Sequence, residues 1–255
     1  MTVSPSTNPK TTAVGQALPT MHDLPSEDPL EPGLPDEFHG LQPQLLAETL
    51  SLEGYHPDEI FNAFDLNLYY DIDHKGWYKR PDWFLVVGTS RRYQGKSSRS
   101  SYVMWDEKIP PVVVVEFLSP NTEADDLGRF ASKPPPVIQG NPPGKFTVYE
   151  TILQIPNYIV FNESTNQLRY FRLIAGKYQE QPLTAQTPLL WIPEINLGLG
   201  LWLGGGRGLY QNWLRWCDAQ GNWLQTEAEQ ERSQKEKLAQ YLRSIGIDPD
   251  NLPSP

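Results

Sequence analysis

Two acidic residues stand where strongly apolar runs begin or end. Asp82 precedes "WFLVVG" in the stretch "RPDWFLVVG", and Glu116 closes the four valines of "PPVVVVEFLSP". A continuous branched-aliphatic run bounded by prolines reads as a strand buried on both faces, the usual central strand of a largely parallel sheet. An ionised carboxylate at its end is costly unless a cation or hydrogen-bond donors meet it. If the two strands are neighbours, Asp82 and Glu116 reach one edge of the sheet and can share a divalent metal ion. Each residue also has a plainer reading. An aspartate after proline is commonly a turn residue, and a glutamate at a strand end commonly pairs with a surface lysine.

Other candidates carry weaker signals. The loop "SRRYQGKSSR" offers Arg91, Arg92, Lys96 and Arg99, which either contact DNA phosphates next to the carboxylates or simply form a solvated loop. His22, His39, His56 and His74 lack metal-ligand spacing, so no zinc site is expected. "GLGLWLGGGRG" has no strand-to-helix context with a later ribose-binding acid, and it reads as turns rather than a nucleotide cradle. Trp202, Trp213, Trp216 and Trp223 read as core and boundary packing rather than a stacking platform. Neither a Gly-x-Ser-x-Gly elbow nor a Walker lysine motif is present.

The elements that must position these residues follow from periodicity. Leu41, Leu45, Leu46 and Leu50 recur at helical spacing, with Asp36 as a cap, Gly54 as a stop and a break expected near Pro43. Phe64, Leu66, Leu68 and Tyr70 alternate as a strand, and "WFLVVG" is a second, more buried one separated from it by a turn at "IDHKGW". "PNYIVFNESTNQLRYFRLIAGKYQEQPL" predicts three strands joined by turns at 163–167 and at Ala175–Gly176. The Pro/Gly stretch from Lys133 to Gly144 is a loop, and "KFTVYETILQI" places Phe146, Tyr149, Ile152 and Leu153 on one helical face. "YQNWLRWCDAQ" reads as an amphipathic helix with Cys217 in the core or at its boundary. Beyond it lies a highly charged helix whose narrow stripe, Leu238, Tyr241, Leu242 and Ile245, suits a projecting helix or a short coiled-coil dimer contact.

Composition bounds the function class. The 255 residues are enough for one substantial α/β domain with appendages. A formal net charge of −10 argues against loose, sequence-independent nucleic-acid binding but leaves room for a local basic groove. One cysteine excludes an internal disulfide framework and fits a reducing compartment. With no apolar leader segment and no run approaching the roughly 18 apolar residues of a membrane span, the expectation is a cytoplasmic protein without membrane attachment.

Taken together, "RPDWFLVVG", "PPVVVVEFLSP" and "KFTVYETILQIPNYIVF" resemble a bacterial restriction-endonuclease-like family, strongly expanded in photosynthetic bacteria and long of unknown function, within the PD-(D/E)XK nuclease superfamily. The resemblance covers roughly Leu34 to Leu203, and "VVEFLSP" with the preceding "RPD" carries it most specifically. It implies that Pro81–Asp82 is the family's proline-aspartate and Glu116 its strand glutamate. The superfamily's lysine stands two residues after that glutamate, where this chain has Leu118. Much of the family shares that departure and uses a lysine four residues before a tyrosine on the next helix, a spacing kept by Lys145 and Tyr149, with Lys133 and Arg129 as alternatives. Glu37 matches weakly a family acidic residue that contacts the metal.

The resemblance further implies a mixed α/β fold, with a central mixed sheet and flanking helices of restriction-endonuclease type. Residues 1–33 are expected to be a disordered or extended tail, residues 34–224 the nuclease-like domain, and residues 225–255 a charged C-terminal helix and tail. The implied activity is hydrolysis of DNA phosphodiesters with Mg²⁺ or Mn²⁺ held by Asp82, Glu116, the Phe117 carbonyl and Glu37, with Lys145 assisting the attacking water, in a possible homodimer. The rival expectations are a catalytically inactive relative that binds DNA or protein, and an enzyme acting on a different phosphoester.

Overall fold

A computed structural model of the chain describes residues 34, 36–96, 98–119, 121–136, 140–184, 188–206 and 208–251; the tail expected over residues 1–33 lies outside them. Contacts divide the chain at Glu37, and residues 38–255 carry all the sheets. Helix α1 (Glu37–Glu48) runs through Pro43 without the expected break and stops well before Gly54. Proline removes one helical hydrogen bond, but tertiary bonds tie the segment down. Gln42 exchanges two hydrogen bonds with the backbone of Leu214, at 2.9 and 2.7 Å, and Trp216 Nε1 donates to the Leu46 carbonyl at 2.9 Å. Thr49 ends the helix by turning its hydroxyl back to the Leu45 carbonyl at 2.7 Å.

A 3-10 turn (Pro57–Glu59) and short elements lead to the valine run: β1 (Ile60–Ala63), β2 (Leu68–Tyr69), β3 (Tyr78–Lys79), β4 (Trp83–Val87), β5 (Tyr102–Val103) and the single-turn helix α2 (Met104–Glu107). The strand expected from Phe64 to Tyr70 shrinks to β2. Asp65 adopts a left-handed φ of 49°, and the Arg80 guanidinium clamps both its carbonyl and its carboxylate, at 3.2 and 2.6 Å, which turns the chain out of extended conformation. The valine run is β6 (Val113–Phe117), with every residue buried. Then come α3 (Glu123–Leu127), α4 (Lys145–Thr147) continued by a π turn over Val148–Ile152, and the strands β7 (Asn157–Asn162), β8 (Gln167–Ile174) and β9 (Lys177–Gln181). Within the expected helical face, Phe146, Tyr149 and Leu153 are buried, but the wider π turn rotates Ile152 to 43 % exposure.

The main sheet has the order β1-β4-β6-β7-β8-β9, and only the β6–β7 pair within it is parallel. It is therefore mixed, as expected, but not largely parallel: hairpins join β7 to β8 and β8 to β9, while the connection through α3 and α4 joins the parallel pair β6 and β7. Its two faces separate by residue parity. Trp83, Leu85, Val113, Val115 and Phe117 pack with α1 on one side, while Phe84, Val86, Val114, Tyr158 and Val160 pack with Phe146, Val148 and Tyr149 on the other.

Beyond β9 the sequence reading needs two corrections. The glycine-rich stretch and the supposed amphipathic helix are both strands, β11 (Leu197–Gly206) and β12 (Leu209–Cys217), which pair antiparallel and add β10 (Leu189–Ile192) to complete a three-stranded sheet. The glycines are there for close approach: a Cβ on Gly198 would lie 2.5 Å from Cys217 Sγ, and one on Gly200 would lie 2.9 Å from the Pro188 carbonyl. Trp213, Leu214 and Trp216 are buried in the core shared with the main sheet, and Cys217 is buried too, so the aromatic-rich run is a sheet interior. Helix α5 (Glu227–Ser244) follows, started by a capping box between Thr226 and Glu229. Among the described residues no helix is long and apolar enough to cross a membrane.

Candidate active site

The pairing of β4 with β6 sets the site. Trp83 lies opposite Val115 and Leu85 opposite Val113, so continuing the register places Asp82 opposite Glu116. By parity both side chains belong to the face of Phe84 and Val114, the face covered by α3 and α4. Two hydrogen bonds lock the strand ends together: the Phe117 amide donates to Asp82 Oδ2 at 2.6 Å, and the Asp82 amide donates to Glu116 Oε2 at 3.3 Å. From the opposite face, His39 Nε2 lies 3.2 Å from the Phe117 carbonyl. A carbonyl only accepts, so this nitrogen carries the proton.

Helix α4 and its π turn deliver the other groups. Lys145 Nζ lies 2.9 Å from Glu116 Oε2 and 3.3 Å from Asp126 Oδ1, and the Tyr149 hydroxyl donates to Glu116 Oε1 at 2.8 Å. The four-residue spacing thus sets two donors on the two oxygens of one carboxylate. The start of α4 is pinned to α3: the Lys145 amide donates to Asp125 Oδ1 at 3.0 Å, and Lys79 Nζ stands 3.6 Å from the other oxygen of Asp125. A Cβ on Gly144 would meet Asp125 Oδ1 at 2.7 Å, so only glycine lets this backbone approach.

Glu116 and Asp126 are almost fully buried, whereas Asp82 keeps part of its surface exposed. Burial pushes Glu116 up to about 8, with the Asp82 charge adding to the rise and Lys145 opposing it. Burial likewise takes Asp126 up to about 7, with Glu116 adding. Burial raises Asp82 as well, against the pull of Lys145 and His39. For Lys145, burial favours the neutral amine, but Asp126, Glu116 and Asp82 outweigh it and hold the group well above the ordinary lysine value. Three carboxylates therefore share one ammonium, and protons or a further cation must make up the difference. Carboxylate and carbonyl oxygens are donors for a hard cation such as Mg²⁺ or Mn²⁺. Among the described residues, no three His, Cys, Asp or Glu side chains converge as a ready-made metal cage.

Of the residues singled out from sequence, Asp82, Glu116, Phe117 and Lys145 come together here. Glu37 is the exposed first residue of α1. Arg129 is committed elsewhere: its guanidinium bonds Glu150 and the Tyr178 carbonyl and stacks over Phe130 and Phe146. Lys133 is exposed in the following loop. The basic loop is not beside the carboxylates, because it leaves the opposite end of β4, a strand of roughly 15 Å. Within it Arg99 is turned inward, 2 % exposed, paired with both oxygens of Glu107 at 2.6 and 3.0 Å and set over the Phe61 ring at 4.5 Å. Arg91, Arg92 and Lys96 remain exposed. The sequence reading missed Asp126 and Asp125, whose only signal was two adjacent acids on a short helix shortly after Glu116.

The mixed sheet thus gathers two strand-end carboxylates and a lysine at one point. Residues 17–204 match the Uma2 family, described as putative restriction endonuclease, and the chain belongs to that family. Comparison with curated proteins gave no match, and neither did comparison with solved structures.

Proposed function

We propose that this protein is a metal-dependent nuclease that hydrolyses phosphodiester bonds of DNA. The observation that carries the reading is the meeting of Asp82, Glu116 and Lys145 at the paired ends of β4 and β6. Family membership supports it independently. In this reading Asp82, Glu116 and the Phe117 carbonyl would hold Mg²⁺ or Mn²⁺. A bound ion of this kind lowers the pKa of a coordinated water and draws charge from a phosphoryl oxygen. Lys145, kept as an ammonium, donates to the attacking water or to the phosphate oxygen that gains charge; it does not serve as the proton acceptor. Tyr149 fixes the rotamer of Glu116, and His39 fixes the Phe117 carbonyl. Arg91, Arg92 and Lys96 contribute phosphate contacts away from the chemistry.

A second reading, an inactive member that binds DNA or protein, draws support from Leu118 at the superfamily's lysine position and from Glu116, whose two oxygens are already engaged. Cleavage of plasmid and single-stranded DNA with Mn²⁺ or Mg²⁺, by wild type and Glu116→Ala, separates the two. The nuclease reading expects cleavage by wild type alone. Activity that survives the substitution removes Glu116 from the mechanism, and binding without cleavage by wild type selects the second reading. The exposed stripe of Leu238 and Tyr241 on α5 and Ile245 at its C-terminal cap supports a homodimer in either case, checked by sedimentation.

A further inference from the structure

Asp126 is 1 % exposed, and neither of its carboxylate oxygens accepts a hydrogen bond of ordinary geometry. Buried carboxylates are rarely left this way, because the lost hydration is not replaced. The Thr122 hydroxyl in the preceding turn approaches Asp126 and offsets part of its burial, but it also faces Ser119, accepting from that residue's amide at 3.2 Å and donating to its carbonyl at 3.4 Å. The cation facing Asp126 is Lys145, at 3.3 Å, and that ammonium makes its shorter bond, 2.9 Å, to Glu116. Glu116 is the residue to which the nuclease reading assigns the metal. An ammonium and a divalent cation on one carboxylate oxygen repel each other strongly in a buried setting.

We propose that Asp126 is a positioning residue, the reserve acceptor that takes Lys145 when a divalent cation binds Glu116. The inference rests on the nuclease reading of the site. The geometry suits such an exchange. The backbone of Lys145 is pinned to α3 through Asp125, and the ammonium already lies between the two carboxylates. A turn of its terminal bonds moves it from Glu116 to Asp126, and the empty acceptor positions of Asp126 are then filled. The lysine keeps its charge and stays beside the site, while Glu116 Oε2, left with the 3.3 Å bond from the Asp82 amide, gains room to ligate.

The test is Mn²⁺ affinity by titration calorimetry on the full chain, comparing wild type, Asp126→Asn, Lys145→Met and the double variant, with thermal melts to verify folding. Without Asp126, Lys145 stays on Glu116 and competes, so Asp126→Asn is expected to bind Mn²⁺ about 10- to 100-fold more weakly than wild type. Lys145→Met removes the competitor and binds at least as tightly as wild type, and the double variant is expected to match it. A double variant weaker than Lys145→Met overturns the proposal, because Asp126 then acts on the ion directly. Wild-type affinity in Asp126→Asn overturns it too, while leaving the nuclease reading intact. Folded wild type that binds no Mn²⁺ overturns both. If Asp126→Asn does not fold, Asp126→Ser replaces it in both the single and the double variant, with the same expected and overturning outcomes.

Discussion

The Tyr149 hydroxyl donates to Oε1 of Glu116 at 2.8 Å from a π turn that also buries the tyrosine ring. Burial, reinforced by the Glu116 charge, holds the phenol well above its ordinary pKa, so it remains a donor at any physiological pH. The carboxylate is thereby fixed on one oxygen and left to exchange partners on the other.

Tyr149→Phe keeps the ring and deletes that donor. Leaving a buried carboxylate oxygen unsatisfied costs about 1–3 kcal/mol. A lowered denaturant midpoint with unchanged m-value would show it. If cleavage is active, kcat should fall while KM for DNA holds, because Tyr149 touches Glu116 and not the phosphates.

Stability should fall as pH rises from about 4 to about 8 in EDTA. Glu116 moves from 4.5 to about 8 and Asp126 from 3.8 to about 7 on folding, so the folded state binds more protons than the unfolded one across that window. The stabilisation is complete below the unfolded values and lost through the folded ones, at up to about 1.4 kcal/mol per pH unit for each proton. Lowered carboxylates such as Asp71, Asp218 and Glu229 act in the opposite sense only in the more acidic range. Melting temperatures at pH 5 and pH 8 check this, with Glu116→Gln flattening the slope. A melting temperature that rises across the window would refute the assignment.

Lys145→Met and Arg129→Ala should part ways. The first removes the ammonium beside Glu116 and is expected to cut cleavage about 100-fold or more. The second breaks the pair with buried Glu150 and costs about 1–3 kcal/mol of stability, discounted because Arg129 is itself 44 % exposed, but leaves any cleavage rate per folded molecule unchanged. Equal losses of activity per folded molecule would return Arg129 to consideration.

In the basic loop, Arg91→Ala, Arg92→Ala and Lys96→Ala combined should reduce the salt slope of DNA binding by about 0.9 for each phosphate that is no longer neutralised, without unfolding the protein. Arg99→Ala should instead destabilise, because it strands Glu107 and empties the space over Phe61. Binding to a labelled duplex across a salt series, with melts of each variant, tells the two apart.

The local patterns that were legible share a cause. "VVVVEF" and "WFLVV" contain enough branched and aromatic residues that burial as strands is the only good outcome, and the turn at Ala175 and Gly176, both with positive φ, allowed the next hairpin to be read directly. "YQNWLRWC" was misread because a tryptophan pair three residues apart fits a helical face as well as a strand, and local spacing cannot say which. The choice was made by Gly198 and Gly200, whose missing side chains let β12 and Pro188 approach β11. The strand expected over 64–70 failed for the same kind of reason, since Arg80 reaches back to bend the chain at Asp65.

By itself the sequence determined that Asp82 and Glu116 lie at the ends of buried strands, and the family resemblance added a mixed α/β fold and a Lys145 whose target it left open. The burial that selects those strands is written in their composition. Only the tertiary structure decided that the target is Glu116, that Arg99 and Arg129 serve the fold, and that Asp126 stands opposite the same ammonium. Those outcomes depend on the antiparallel register of β4 on β6 and on the crossover that lays α3 and α4 over it. Contacts between residues this far apart in the chain are set by how whole elements pack, which local pattern does not encode.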